Sequence, residues 1–189
     1  MNISRSLIGV GIVVAIVIIG GLYIGGVYNS FVRSNEAVDA QWAQIESQYQ
    51  RRFDLIPNLV ESVKGVMTQE QAVFGAIAEA RTKYAGAATP DARAEAATGV
   101  ESALARLLVV MENYPELRST ENVQTLMAEL AGTENRISVE RMRFNEMVRD
   151  YNVSVKTFPG SVLAGFFGFD SRAMFEAKEA AATAPKVDF

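Results

Sequence analysis

The chain of 189 residues contains no cysteine and no histidine. Thiolate nucleophiles, disulfides, the usual nitrogen and sulfur ligands of zinc, and the one side chain whose ordinary pKa lies near neutrality are therefore all missing. Catalysis would have to rest on carboxylates, Lys, Tyr or Ser. A di-iron site of the helical-bundle kind uses Glu-x-x-His on two helices, and it falls with the histidines. Glu70, Glu79, Glu112, Glu129, Glu134, Glu140 and Glu146, the acidic residues within helical patterns, are thus left without the partners such a site needs. No catalytic residue, no metal and no other cofactor is expected, and no small-molecule substrate is evident. Excess basic charge is lacking too: 18 Lys and Arg stand against 22 Asp and Glu, with no basic cluster beyond Arg51-Arg52. Nucleic acid, which needs a concentrated basic face, is not an expected partner.

What the chain does have is an uncharged run at residues 7–28, LIGVGIVVAIVIIGGLYIGGVY. At about 1.5 Å per residue a helix of this length crosses roughly 30 Å of hydrocarbon. The run exceeds the apolar stretch of a cleaved signal peptide and no Ala-x-Ala site precedes the first polar residues after it, so a retained single-pass anchor is expected. Without cysteine, lipid modification of an N-terminal thiol cannot replace it. Gly11 with Ala15 and Gly21 with Gly25 are small residues one turn apart, a spacing that lets two spans approach closely, although it also arises by chance in glycine-rich segments. The reading divides the chain into a short N-terminal segment (1–6), the anchor (7–28), a helical body (29–157) and an apolar loop with a C-terminal tail (158–189).

The body is expected to be all-α: an antiparallel bundle of three long helices, coiled-coil-like in its patterning, with a short helical tail. Apolar side chains recur at steps of mostly three and four through Val38, Trp42, Ile45, Tyr49, Phe53, Ile56, Val60, Val63, Met67, Phe74 and Ile77, with Glu70 in the one missing core slot. Pro57 inside this run predicts a kink rather than an end. Turn residues 86–91 separate it from a second helix, with Thr89 as N-cap before Pro90 and a stripe at Ala97, Val100, Leu104, Leu107, Met111 and Tyr114 that closes at Pro115. The third stripe is Val123, Leu126, Leu130, Ile137, Phe144, Val148, Tyr151, Val155 and Phe158. Gly132 and Thr133 interrupt it and predict a close helix crossing. Short connections make consecutive helices antiparallel neighbours. Beyond Phe158-Pro159-Gly160 the periodicity stops, and residues 173–182 predict a short helix.

Two features sit apart from the apolar seams. Arg51, Arg52, Asp54 and Asn58 on the first helix, and Glu134, Asn135, Arg136 and Asn145 on the third, are expected to face each other as a register-setting polar network, with Arg52 pairing to Glu134. A hydrolase built on Glu134 and Asp54 is the remote alternative. The apolar segment at 162–169, with Val162, Leu163, Phe166, Phe167 and Phe169, is too short to span a membrane and must be covered: by the end of the bundle, by lipid, or by a neighbouring subunit.

Tyr28-Asn29, Trp42 with Ile45, the run from Arg51 through Asp54-Leu55-Ile56-Pro57-Asn58-Leu59-Val60 to Glu61, Glu112-Asn113-Tyr114-Pro115, Thr133-Glu134-Asn135-Arg136-Ile137, Tyr151-Asn152 and Phe158-Pro159 together resemble the LemA family. The resemblance covers nearly the whole chain after the anchor. It implies an N-terminal anchor, a bundle of long antiparallel helices, no established catalytic residues, and genes often placed beside membrane metallopeptidases.

The resulting expectation is a non-enzymatic scaffold in a bacterial cytoplasmic membrane that self-associates into an envelope assembly and shapes membrane or organises other envelope proteins. The alternative is a monomeric adaptor for an envelope enzyme such as a membrane metallopeptidase. Arg5 and the amine before the span, against Arg33 followed by Glu36 and Asp39, place the body on the periplasmic or extracellular side, with Arg51 and Arg52 counting slightly against it.

Overall fold

The structure, a computed structural model, describes residues 5–175. Every regular element among them is helical: α1 (Arg5–Lys64), α2 (Gln71–Gly86), α3 (Pro90–Met111), the single turn α4 (Pro115–Arg118), α5 (Glu121–Lys156) and α6 (Gly160–Phe167). α1 runs through Pro57. It also contains the apolar run, which is long and apolar enough to cross a membrane and has none of its most apolar window buried, consistent with a membrane anchor. The chain divides into two compact units, Met1–Ala40 with Arg143–Phe189, and Gln41–Met142.

In the second unit, residues 41–142, the apolar seams become the core. Trp42, Ile45, Tyr49, Phe53, Ile56, Leu59 and Val63 of α1, Ile77 of α2, Val100, Leu104, Leu107 and Met111 of α3, and Val123, Leu126, Leu130 and Ile137 of α5 are all buried. The expectation of one helix from Val38 past Ile77 is corrected here. α1 ends at Lys64, and residues 65–70 turn before α2 begins with Glu70 at its N-cap. Continuing the helix would have carried the Glu70 carboxylate into a core slot, which costs several kcal/mol without a partner. Instead Met67 is hooked inward by hydrogen bonds to Val63 O (3.0 Å) and from Glu70 N (3.2 Å), and is fully buried. The seam also shifts by one residue at its end, with Leu59 buried and Val60 only half-buried. Thr89 caps α3 by accepting from Ala92 N at 3.2 Å, with Pro90 in the first turn.

The first unit is built from Phe31 and Val38 of α1, Phe144, Val148, Tyr151 and Val155 of α5, and Gly160 and Ala164 of α6. The segment after Phe158 was expected to be aperiodic. It folds instead as two turns of helix that end at Gly168, whose φ of 76° is the left-handed conformation glycine adopts without a Cβ clash. Residues 168–175 then run without regular structure. Most of the helix expected at 173–182 lies outside the described residues, and 173–175 are not helical. The close crossing expected at Gly132 is not found: a Cβ there would meet nothing within 4 Å, whereas Thr133 beside it is buried.

Candidate functional site

Polar side chains from three helices meet inside the second unit. Arg52 of α1 is 1% exposed; its guanidinium pairs with Glu134 of α5, lies 3.5 Å from Glu101 Oε1 of α3, and donates through Nε to Thr133 Oγ1 at 3.4 Å. Thr133 in turn donates to Leu130 O at 2.7 Å. Arg141 of α5 reaches the same Glu101 oxygen at 2.7 Å and donates through Nε to the Tyr49 hydroxyl at 3.0 Å. Glu101 therefore bridges two guanidinium groups, and each charge in the cluster has a protein partner. Burial pushes the Tyr49 phenol above its ordinary range, against the opposing pull of Arg141. The set ties α1, α3 and α5 together through paired charges, with the Glu134 side chain at its water-exposed edge.

The membership differs from the sequence expectation. Arg51, Asp54, Asn58, Asn135 and Arg136 are exposed, Asp54 accepting from Gln50 Nε2 at 2.9 Å, because a step of one or two residues turns a helical side chain some 100–200° off the seam. Asn145 belongs to the first unit. Glu101, Arg141, Thr133 and Tyr49 were missed. Thr133 at Leu130+3 and Arg141 at Ile137+4 stand in the gaps of the third stripe, whereas Glu101 lies beside Val100 in an unbroken stripe and Tyr49 reads as a seam residue.

The second assembly lies in the first unit, at the last residue of the apolar run. Phe167 and Phe169 pack their rings on Tyr28 at 5.0 and 5.7 Å between centroids, and Phe169 also meets Phe31 at 5.3 Å. Past Gly168, two asparagines seven residues apart on α5 hold the backbone of the following segment. Asn152 Nδ2 donates to Arg172 O and its Oδ1 accepts from Arg172 N, both at 2.8 Å; Asn145 does the same to Phe175, at 2.9 and 2.8 Å. Arg172 pairs with Asp39 at 2.7 Å and donates to Asn35 at 3.0 Å, while the Phe175 ring packs on Phe144. Of the apolar residues singled out in the sequence, Leu163 and Phe169 are half-buried, and Phe167, Val162 and Phe166 are exposed, Phe167 least. Phe158, expected to extend the α5 seam, is instead exposed.

The family model described as the LemA family matches residues 41–189. The chain belongs to the LemA family. Among curated proteins this LemA-family chain is similar to magnetosome proteins MamQ 1 and MamQ 2 of Paramagnetospirillum magneticum and MamQ of Magnetospirillum gryphiswaldense. It is 28% identical to each over 182 residues, covering 82% of this chain and 67% of each relative. The stretches that carry the LemA resemblance have structural work to do here. Thr133 fills the gap in the α5 seam while Glu134 beside it pairs with Arg52, Asn152 clamps the C-terminal segment, and Phe158-Pro159 lies at the turn from α5 into α6. Among the described residues no group of three or more acidic side chains is placed to hold a metal ion.

Two tests follow from this geometry. Asn152→Ala removes both hydrogen bonds to Arg172, worth about 1–3 kcal/mol when the freed peptide group is part-buried. Hydrogen exchange at the Arg172 amide is expected to rise at least tenfold, with the Phe175 amide following. In the second unit, Tyr84 packs edge-on against Phe53 at 4.2 Å, beside the Glu46–Arg93 pair. Burial, reinforced by Glu46, pushes its phenol up to about 12 from 10.0. Because the folded value lies above the unfolded one, this contribution is fully present below pH 10 and is lost as pH rises toward 12. Thermal melts across that window are expected to fall less steeply in Tyr84→Phe than in the parent chain.

Proposed function

We propose that this LemA-family chain is a non-enzymatic scaffold, anchored by the α1 span in a bacterial cytoplasmic membrane, whose copies associate through that span and present their helical bodies side by side. The observation that supports it is the apolar window of α1, long enough to cross a bilayer and wholly unburied. Within it Gly11, Gly21 and Gly25 have open space where a Cβ would stand and Ala15 is exposed, so a second span has unobstructed access to the small-residue faces. The closed polar cluster in the second unit supports a structural rather than catalytic role. Membership of the LemA family and similarity to magnetosome proteins support a membrane-associated role. The charge distribution around the span favours a body on the periplasmic or extracellular side.

The test is the mass of the full-length protein after extraction in mild detergent, beside a Gly21→Leu, Gly25→Leu double variant. A discrete multi-copy particle that falls toward monomer in the variant is the expected result. A monomeric parent chain overturns self-association. If that monomer is held in a stoichiometric complex with a different envelope protein, the adaptor role is the correct one.

A further inference from the structure

We infer that α6 is a membrane-interface helix, whose Val162 and Phe166, with Phe158 in the turn before it, lie in the boundary layer of the bilayer that α1 enters. This rests on the reading of residues 7–28 as a membrane span.

α6 has two unlike faces. Its inner face is tight: Gly160 sits against the Ser154 carbonyl and Phe31, and Ala164 is buried. Its outer face carries Val162 and Phe166 one turn apart, 63% and 81% exposed, and Phe158 just before the helix is 84% exposed. Burying a side chain of this kind is worth about 1.5–3 kcal/mol, so three left open on adjacent turns mark a surface that water does not cover in the working state. The sequence GSVLAGFF has no charge, and what it meets must be apolar.

The position along α1 names the occupant. Phe166 packs on Phe167 (5.1 Å), and Phe167 packs on Tyr28 (5.0 Å), the residue at which the apolar run gives way to Asn29 and Ser30. A continuous aromatic path thus joins the exposed face of α6 to the end of the span, the level at which aromatic side chains collect at a bilayer surface. A helix at this depth in a protein already tethered to the membrane meets lipid at high effective concentration, so a few side chains suffice to hold it there. A second copy is a poorer fit, because an eight-residue helix offers far less than the roughly 800 Å² per partner of a stable interface.

The absence of cysteine makes the test direct, since a single introduced thiol is the only one in the chain. Full-length Val162→Cys, Phe166→Cys and Phe158→Cys proteins carry a nitroxide label in liposomes, beside Ile16→Cys within the span and Arg149→Cys, exposed on α5 about two turns before its end. Accessibility to oxygen, which concentrates in lipid, is compared with accessibility to a water-soluble nickel chelate. Labels at 162, 166 and 158 are expected to favour oxygen, as at 16, and the label at 149 to favour nickel. Nickel accessibility at 162 and 166 with a lipid-embedded label at 16 overturns the inference and leaves the anchor standing. Shielding from both reagents also overturns it, in favour of protein covering α6. A label at 16 outside lipid overturns the anchor itself, and the inference with it.

Discussion

Arg52→Ala is expected to lower the stability of the helical body by about 3 kcal/mol, a fall of roughly 10–20 °C in Tm for a unit of this size. Arg52 is among the largest fully buried side chains, and truncation removes most of its volume from a close-packed seam. It also removes two ion pairs and the contact to Thr133. Breaking a buried pair usually costs 3–5 kcal/mol because the remaining charge is stranded. Here the carboxylates have outlets: Glu101 keeps Arg141, and the Glu134 side chain is 53% exposed to water. The loss should therefore sit at the lower end of that range and come chiefly from the cavity. Arg52→Met, which refills much of the volume without charge, should recover part of it. The carboxylates are expected to rank unequally. Glu101→Gln weakens the bridge to both guanidinium groups and should cost about 2 kcal/mol, against about 1 kcal/mol or less for Glu134→Gln. Thermal melts of the four variants give the ranking, and a Glu134→Gln loss larger than the Glu101→Gln loss would show that Glu101 is not the centre of the cluster.

That ranking also marks where sequence patterning stops being informative. The apolar seams of α1, α3 and α5 were legible because a helical period writes burial directly into the order of side chains, and nearly every residue assigned to a seam is buried. Polar core residues leave a different trace. Thr133 and Arg141 appear only as missing apolar steps, and a gap does not say whether the helix breaks, bends or buries a polar group. At Glu70 the same kind of gap is a chain reversal; at Thr133 it is a buried hydroxyl. The difference lies in partners from other helices, Arg52 and Glu101, which a one-dimensional pattern cannot supply. The segment at 162–169 divides by face, with Ala164 turned inward and Val162 and Phe166 outward. Eight residues carry too few turns for that division to be read before the position of Tyr28 and Phe31 is known. The asparagine clamp was equally invisible, because Asn145 and Asn152 bind the backbone of residues 172 and 175, and backbone groups carry no sequence signature.

Gly160→Ala is expected to release α6 from α1 while leaving the second unit intact. A methyl group at this position would overlap the Ser154 carbonyl oxygen, with Phe31 Cζ only 3.3 Å away. A ring can rotate to make room, but a backbone oxygen at the end of α5 moves only with its helix. Overpacking a tight site costs about 1–3 kcal/mol where side chains can adjust, and the backbone obstacle puts this substitution at or above the upper figure. The displacement would also draw Phe167 and Phe169 off Tyr28 and Phe31, so the loss should spread along residues 160–175. A cost of about 3 kcal/mol corresponds to a rise of roughly a hundredfold in amide exchange across that segment. Gly132→Ala supplies the opposite expectation on the same scale. Its Cβ enters open space in the middle of α5, and relief of glycine's helix penalty should stabilise the chain by about 0.5–1 kcal/mol. The two substitutions add the same methyl group to two helices of one protein, so a difference in sign isolates local geometry from residue type. If exchange in 160–175 stayed at the parent level in Gly160→Ala, α6 would not be seated against Phe31, and the aromatic path that carries it to the end of the span would be lost with that contact.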